Sequence, residues 1–372
     1  MIQQPRHLLL IIILAVVVAG CATAPGPAPV PPAEPPAPAP EVRPAKTVVG
    51  YYPSWKRPEL DHTRIAYAHL THIAHAFVWP DGEGNLVVPK NFLYPELVSE
   101  SHANGVKVIL SLGGYGNSAG FPRMAASPES RARFIGQVVE FCRANGYDGV
   151  DLDWEFVANA EERDSFSAYV KELAAVLRDG SPALLLTMAA PTNNFWGRWI
   201  AFEEIAGEFD FIGLMTYGYH GSWSAHSGHN APLRSCGGDG CGSVQDTLSY
   251  ALSRGLPPEK LLLGIPFFGR SFDAPGLYEK FTRSESLPYK KIMALPAGEW
   301  TLLRDGCAEV PYLVRADGKM VVSFDDTDSV GAKCGAVLAA GAAGVIIWEL
   351  SGDDWEGRPV LLEAVARALA GR

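Results

Sequence analysis

Residues 147–156 read YDGVDLDWEF, from Tyr147 to Phe156. With the two-residue period of a β-strand, Val150, Leu152 and Trp154 fall on one face and Asp151, Asp153 and Glu155 on the other. The apolar face calls for packing helices, which disfavours a surface strand with solvated charges. The acidic face has no cation beside it in sequence. Buried carboxylates cost several kcal/mol each unless they are protonated or hydrogen-bonded. Crowded acids cannot all ionise, so at least one pKa is expected to rise, and Glu155, at the strand's end, becomes a proton donor near neutral pH. Glu155 is therefore the candidate general acid.

Asp148, Asp151, Asp153 and Glu155 stand in the order D-x-x-D-x-D-x-E, with Gly149 and Trp154 between them. The stretch resembles the signature of family 18 glycoside hydrolases, the chitinases.

The chain has 372 residues, 48% of them hydrophobic, enough for one large barrel domain or two ordinary ones. A net charge of −10 without a basic run argues against nucleic acid as the partner and fits a neutral or cationic substrate. Met1 to Gly20 carries Arg6 and His7, then apolar residues from Leu8 to Ala19, and reads as a signal peptide (1–20). The apolar run is short for a transmembrane anchor. Val18-Ala19-Gly20-Cys21 resembles a bacterial lipobox, which implies that Cys21 is lipidated and becomes the mature N-terminus. Residues 21–45 are Pro- and Ala-rich and are expected to form an extended tether of ~3 Å per residue. The expected picture is a lipid anchor on a stalk, holding a catalytic domain over 46–372 on a bacterial membrane, facing the periplasm or the cell exterior.

Of six cysteines, lipidation of Cys21 leaves five, and an odd number leaves one thiol free. Cys142 falls on an apolar helix face with Phe134, Val138 and Phe141 and is expected to be buried and unpaired. Cys236 and Cys241 bracket a Gly-rich loop and are expected to pair, with Cys307 and Cys334 as a second candidate bridge. A zinc site is the rival reading, but C-x4-C without histidines at metal spacing supports it poorly.

Eight short apolar runs lie near Thr47–Tyr52, His72–Val78, Val106–Leu112, Asp148–Glu155, Leu184–Ala190, Asp210–Tyr217, Leu261–Phe267 and Gly344–Glu349, with helix-length segments between most of them. One such helix opens at Ser127-Pro128-Glu129 and closes at Gly146; another is striped by Phe166, Tyr169, Val170, Leu173, Val176 and Leu177. This alternation predicts an α/β fold, a (β/α)8 TIM barrel. A doubly wound sheet is the alternative, disfavoured by the missing Gly-rich phosphate loop. The seventh and eighth runs lie too far apart for a simple connection. Residues 272–322, with Tyr278, Phe281, Tyr289, Trp300 and Tyr312, resemble the small α+β insertion of the deep-groove chitinases.

Barrel active sites form at the carboxyl ends of the strands. Those positions hold Tyr52 and Trp55; Ser111, Gly113, Gly114 and Tyr115; Met215, Tyr217, Tyr219, His220 and Trp223; Arg270; and Trp348 with Glu349. Singly, such aromatics belong as readily to a core. Together they match family 18 motifs in order and spacing, and aromatic faces at Trp55, Trp223 and Trp348 suit a polysaccharide groove. Ser111 and His220 do not make a Ser-His-Asp site, because no G-x-S-x-G elbow is present.

The resemblance implies a retaining mechanism in which the substrate's own 2-acetamido group replaces a protein nucleophile. Glu155 would protonate the glycosidic oxygen, Asp153 would orient the acetamido group, Asp151 would share a proton beneath it, Tyr217 would hold the acetamido oxygen, and Trp348 would floor the subsite. Tyr52, Trp55, Gly114, Tyr115, Met215, Tyr219, Trp223 and Arg270 would bind substrate, while Asp148, Ser111 and Gly113 complete the motif structurally. No metal or cofactor is expected, and chitin or chito-oligosaccharides are the implied partners of a monomer. Departures from the family pattern fall at Phe156-Val157, where Tyr-Pro is common, and at Gly218, where the family usually has Asp. Hydrolysis of another 2-acetamido glycan, such as N-glycan cores or peptidoglycan fragments, and a chitin-binding lectin are the alternatives.

Overall fold

The computed structural model describes residues 43–236 and 239–370. The signal peptide, Cys21 and nearly all of the Pro/Ala stretch lie outside the described residues. The strands run β1 (Thr47–Pro53), β2 (His72–Pro80), β3 (Leu86–Val87), β4 (Lys107–Gly113), β5 (Gly149–Asp153), β6 (Leu185–Ala190), β7 (Phe211–Leu214) and β8 (Leu261–Pro266). They continue with β9 (Phe268–Phe272), β10 (Ser284–Pro288), β11 (Trp300–Asp305), β12 (Val310–Arg315), β13 (Val321–Ser323) and β14 (Gly344–Trp348).

Parallel pairing in the order β1-β14-β8-β7-β6-β5-β4-β2, with β1 also paired to β2, closes a (β/α)8 barrel; β3 adds an antiparallel edge to β2. Each expected run supplies one barrel strand. β5 and β7 end earlier than expected. In the latter, Thr216 and Tyr217 leave the sheet because their N–H groups turn back onto Leu214 and Met215 carbonyls.

Helices pack outside as the periodicity requires. The helix Pro128–Asn145 starts at Ser127, whose hydroxyl accepts from Ser130 N–H, and ends at Gly146. The helix Ala160–Arg178 buries Phe166, Tyr169, Val170, Leu173 and Leu177, whereas Val176 is exposed. Trp154, on the side opposite the acids, stacks on Phe121 at 5.1 Å and lies edge-on to Phe166 at 5.5 Å. It anchors the barrel to the helix layer.

Between β8 and β14 the chain forms the insertion, an antiparallel sheet ordered β10-β9-β13-β12-β11 with a short helix, Tyr289–Met293. It begins at Phe268, four residues before the expected boundary, because the run after β8 continues directly into β9.

The cysteine expectations are corrected here. Cys236 bonds Cys307, tying the loop after β7 to the turn between β11 and β12, while Cys142, Cys241 and Cys334 are free. Cys334 is buried on the barrel side of the helix Thr327–Ala339 and cannot reach Cys307 at the surface of the insertion. Cys142 is buried and unpaired, as expected.

Candidate active site

β5 carries the acids because its register sets Asp151 beside Ser111 on β4 and Thr187 on β6. Asp151 Oδ2 accepts hydrogen bonds from the Tyr51 and Ser111 hydroxyls, both at 2.8 Å, and Oδ1 from Thr187 at 2.7 Å. Burial raises the pKa of Asp151, and these three donors oppose the rise. Asp153 has no such support: its Oδ1 is buried without a hydrogen-bond partner among the described residues. Burial first, then the charges of Glu155 and Asp151, lifts its pKa well above the carboxylate range. A proton shared by this group therefore belongs on Asp153, since Asp151 has three hydroxyls to stabilise its charge. Glu155 is pushed up to about 7 by burial, against a backbone hydrogen bond from Tyr115.

The end of β4 holds Glu155 in place. Gly114 N–H donates to Asp153 O at 2.7 Å, and Glu155 N–H donates to Ser118 Oγ at 3.0 Å. The approach explains the S-x-G-G run: a Cβ at Gly113 would lie 2.4 Å from Asp153 O, and one at Gly114 2.4 Å from the Phe77 ring. Both residues also have φ in the left-handed region, at 104° and 79°.

Tyr217 projects toward the same acids. Burial, followed by the charges of Asp153, Glu155 and Asp151, holds its phenol well above its ordinary pKa, so it remains a hydrogen-bond donor. Gly264 makes room, since a Cβ there would meet Leu214 O at 2.7 Å and the Tyr217 ring at 2.8 Å. Met215 is partly exposed beside it, its N–H bonded to Ala190 O. Below lies an aromatic floor in which Trp348 stacks on Phe77 at 5.7 Å and contacts Tyr51 at 5.6 Å. Above it stand Trp55, Tyr115 and Trp223, which are 55%, 87% and 63% exposed. Trp223 faces the Arg270 guanidinium at 5.1 Å.

Two expected substrate contacts are corrected. Tyr52 is fully buried on the outer side of β1 and donates to Leu60 O at 2.6 Å; its neighbour Tyr51 faces the acids instead. Tyr219 turns away from the mouth, and its hydroxyl donates to Ser243 O at 2.7 Å, pinning the loop to the helix Val244–Ser253. Asp148 accepts from Val108 N–H at 2.7 Å and contacts His102 Nε2 at 2.8 Å, at the amino end of β5, away from Glu155. Its role there is structural.

The residue reading missed Tyr51, Thr187, Phe77 and the pair Phe195-Trp196. Trp196 stacks on Phe156 at 4.7 Å, directly after Glu155, and Phe195 is exposed beside it. Two adjacent aromatics just beyond the fifth apolar run were the available signal.

The description of glycosyl hydrolases family 18 matches residues 47–353. The chain belongs to this family. It is 31% identical over 285 residues to Chitinase A1 from Niallia circulans, across 67% of this chain and 41% of that relative. To Chitotriosidase-1 from Mus musculus it is 30% identical over 351 residues, across 84% and 74% respectively. Probable chitinase 10 from Drosophila melanogaster is 31% identical over 310 residues, 75% of this family 18 chain but 13% of the relative. The chain thus spans under half the length of the first and last of these. Among solved structures, a group IV chitinase from Ostrinia furnacalis in complex with allosamidin superposes with a TM-score of 0.78 at 28% identity, covering 87% of this chain and 98% of that one. A human pseudo-chitinase with retained chitooligosaccharide binding properties superposes with a TM-score of 0.81 at 26% identity, covering 87% and 100%.

Proposed function

We propose that this family 18 chain is a chitinase that cleaves β-1,4 links between N-acetylglucosamine units inside a polymer, with retention of configuration. The carrying observation is Glu155, a carboxyl held protonated to about pH 7 at the end of β5, with Asp153 beside it on the same face rather than across from it. That arrangement favours substrate assistance over a protein nucleophile. Glu155 donates its proton to the glycosidic oxygen as the bond to the anomeric carbon breaks. The acetamido carbonyl oxygen of the same sugar attacks that carbon and closes an oxazolinium ring. Protonated Asp153 and the Tyr217 hydroxyl orient and steady the acetamido group. Glu155, now a carboxylate, takes a proton from the water that opens the ring.

Incubation with chitin oligomers, followed by product lengths and the anomeric form of the first product, tests the reading. Internal cleavage with β-anomer products is expected. Tight binding without turnover would instead favour the lectin reading that the pseudo-chitinase neighbour brings with it, and inactivity on chitin with cleavage of other 2-acetamido glycans would redirect the substrate. We further propose that Cys21 carries the lipid anchor and that the Pro/Ala stretch is its tether, supported by Val18-Ala19-Gly20-Cys21 after the apolar run.

A further inference from the structure

The loop after β7 and the Gly-rich stretch before the helix Val244–Ser253 bring together His220, His226, Asp239 and Cys241. One ligand atom from each lies within 4.8 Å of all the others. His220 is completely buried, and its Nε2 has no hydrogen-bond partner among the described residues.

Both imidazoles are oriented for ligation through their backbone contacts. His220 Nδ1 lies 3.0 Å from His229 O, and His226 Nδ1 lies 2.9 Å from Ser227 O. A carbonyl only accepts, so each Nδ1 carries the proton and each neutral ring presents a bare lone pair at Nε2. This is the outer-sphere arrangement that fixes the tautomer of a metal-bound histidine. His220 Nε2 then faces Asp239 Oδ1 at 3.3 Å, two acceptors pointed at each other. A cation between them resolves the conflict. Gly228 grips the ring without covering that lone pair: an added Cβ would lie 2.4 to 2.5 Å from Nε2, Cδ2 and Cε1 alike, which places it over the ring face.

We propose that His220, His226, Asp239 and Cys241 form a four-coordinate site for a divalent transition ion of the zinc class. Two imidazoles, one thiolate and one carboxylate are the donor set that Zn²⁺ takes, while hard Ca²⁺ and Mg²⁺ prefer oxygen alone. The two anionic ligands would neutralise the ion's charge at a site where His220 is buried and the other three ligands are half-buried. Tetrahedral bonds of about 2.0–2.3 Å set ligand atoms roughly 3.3–3.8 Å apart, so a contraction from the present spread completes the shell. Binding would release the Cys241 thiol proton, because the thiolate is the ligand form.

The site also explains why Cys236 and Cys241 part company: the first bonds Cys307, and the second is kept as a ligand. Its role is positional. His220 and His226 flank Trp223, and the ion ties their loop to the segment from Asp239 to Ser243. The ring of Tyr278 closes the far side, 6.5 and 6.2 Å from the His220 and His226 rings. The rim tryptophan is thereby held at a set height over the cleft.

The test uses untagged full-length protein, loaded with a small excess of ZnCl2, dialysed, and assayed for metal by elemental analysis. A parallel sample is titrated with CoCl2 and read by absorbance. One tightly held zinc per chain is expected, together with thiolate-to-cobalt charge transfer in the near ultraviolet and visible bands typical of four-coordinate Co²⁺. Cys241→Ser should abolish the charge-transfer band, and His226→Ala should weaken zinc affinity by more than about 100-fold, with circular dichroism confirming that both variants fold. Less than a tenth of an equivalent of zinc in the wild-type protein overturns the proposal, as does cobalt binding without a thiolate band. Unchanged affinity in both variants overturns it too. None of these readouts uses glycan hydrolysis, so they stand apart from the chitinase reading.

Discussion

The chemistry of single residues turns on the pKa values of β5. Replacing Glu155 with Gln keeps size and hydrogen bonding but removes the transferable proton; hydrolysis of chitin oligomers is expected to fall ~100-fold or more while binding measured by calorimetry persists. Activity within a few-fold of wild type would refute the assignment. The same substitution has a stability consequence. The folded pKa of about 7 lies above the ordinary value near 4.5, so the folded state keeps a proton that the unfolded chain has already lost. The associated stability is complete below about pH 4.5 and lost as pH rises through about 7. Gln cannot ionise, so Glu155→Gln should be more stable than wild type at pH 8, by up to about 3 kcal/mol, and should show no such gain at pH 4. Denaturant melts at both pH values check the sign.

Gly218 sits in the left-handed region with φ of 69°, and a Cβ there would have a Trp223 ring atom 3.8 Å away as its nearest neighbour. Asp tolerates that backbone better than most side chains, at a cost of about 1 kcal/mol. A carboxylate there would raise the pKa of Glu155 by like-charge repulsion. Gly218→Asp is therefore expected to increase turnover of chitin oligomers and to move the basic limb of the rate profile to higher pH. Superimposable profiles for the two proteins would show that this side chain does not face the acid.

At the scale of elements, two of the contacts that hold the insertion to the barrel are open to test. The Cys236–Cys307 bond closes 71 residues of chain, and a peptide map under non-reducing conditions should show these two cysteines linked, with Cys241 and Cys334 alkylatable after unfolding. A Cys236–Cys241 peptide would contradict the assignment. On the other side, the chain leaving β13 enters the helix Thr327–Ala339 through a buried ion pair, with Lys333 Nζ 2.5 and 2.6 Å from the two Asp325 oxygens. Ser329 donates to the same carboxylate at 2.6 Å. Lys333→Met removes one partner and leaves a buried charge, so a loss of about 3–5 kcal/mol is expected in urea unfolding. A loss under 1 kcal/mol would mean that water reaches Asp325 readily.

For the molecule as a whole, the proposed anchor at Cys21 is separate from the catalytic barrel. Among the described residues no helix is long and apolar enough to cross a membrane. Cys21→Ser is expected to move the protein from the membrane fraction to the soluble fraction with unchanged turnover, because a Pro/Ala-rich tether of the proposed kind would keep the barrel mechanically apart from the lipid. Continued membrane fractionation after removal of the signal peptide would end the lipoprotein reading.

What the sequence determined follows from periodicity and local sterics. The two-residue repeat from Val150 to Glu155 put three acids on one face and Trp154 among the helices, because mixed polarity on a strand leaves only one phase open. The eight alternating runs pointed to the barrel over a doubly wound sheet. The tertiary structure decided what that pattern could not carry. TVVGYYP is apolar on both faces, since a parallel strand in a barrel is buried on both, so nothing local distinguished Tyr51 from Tyr52. The partner of Cys236 lies 71 residues away, and the histidines beside Cys241 come from earlier in the same long connection, brought back by its fold. Those meetings depend on how distant loops fold over the barrel's mouth, where no repeat sets the register.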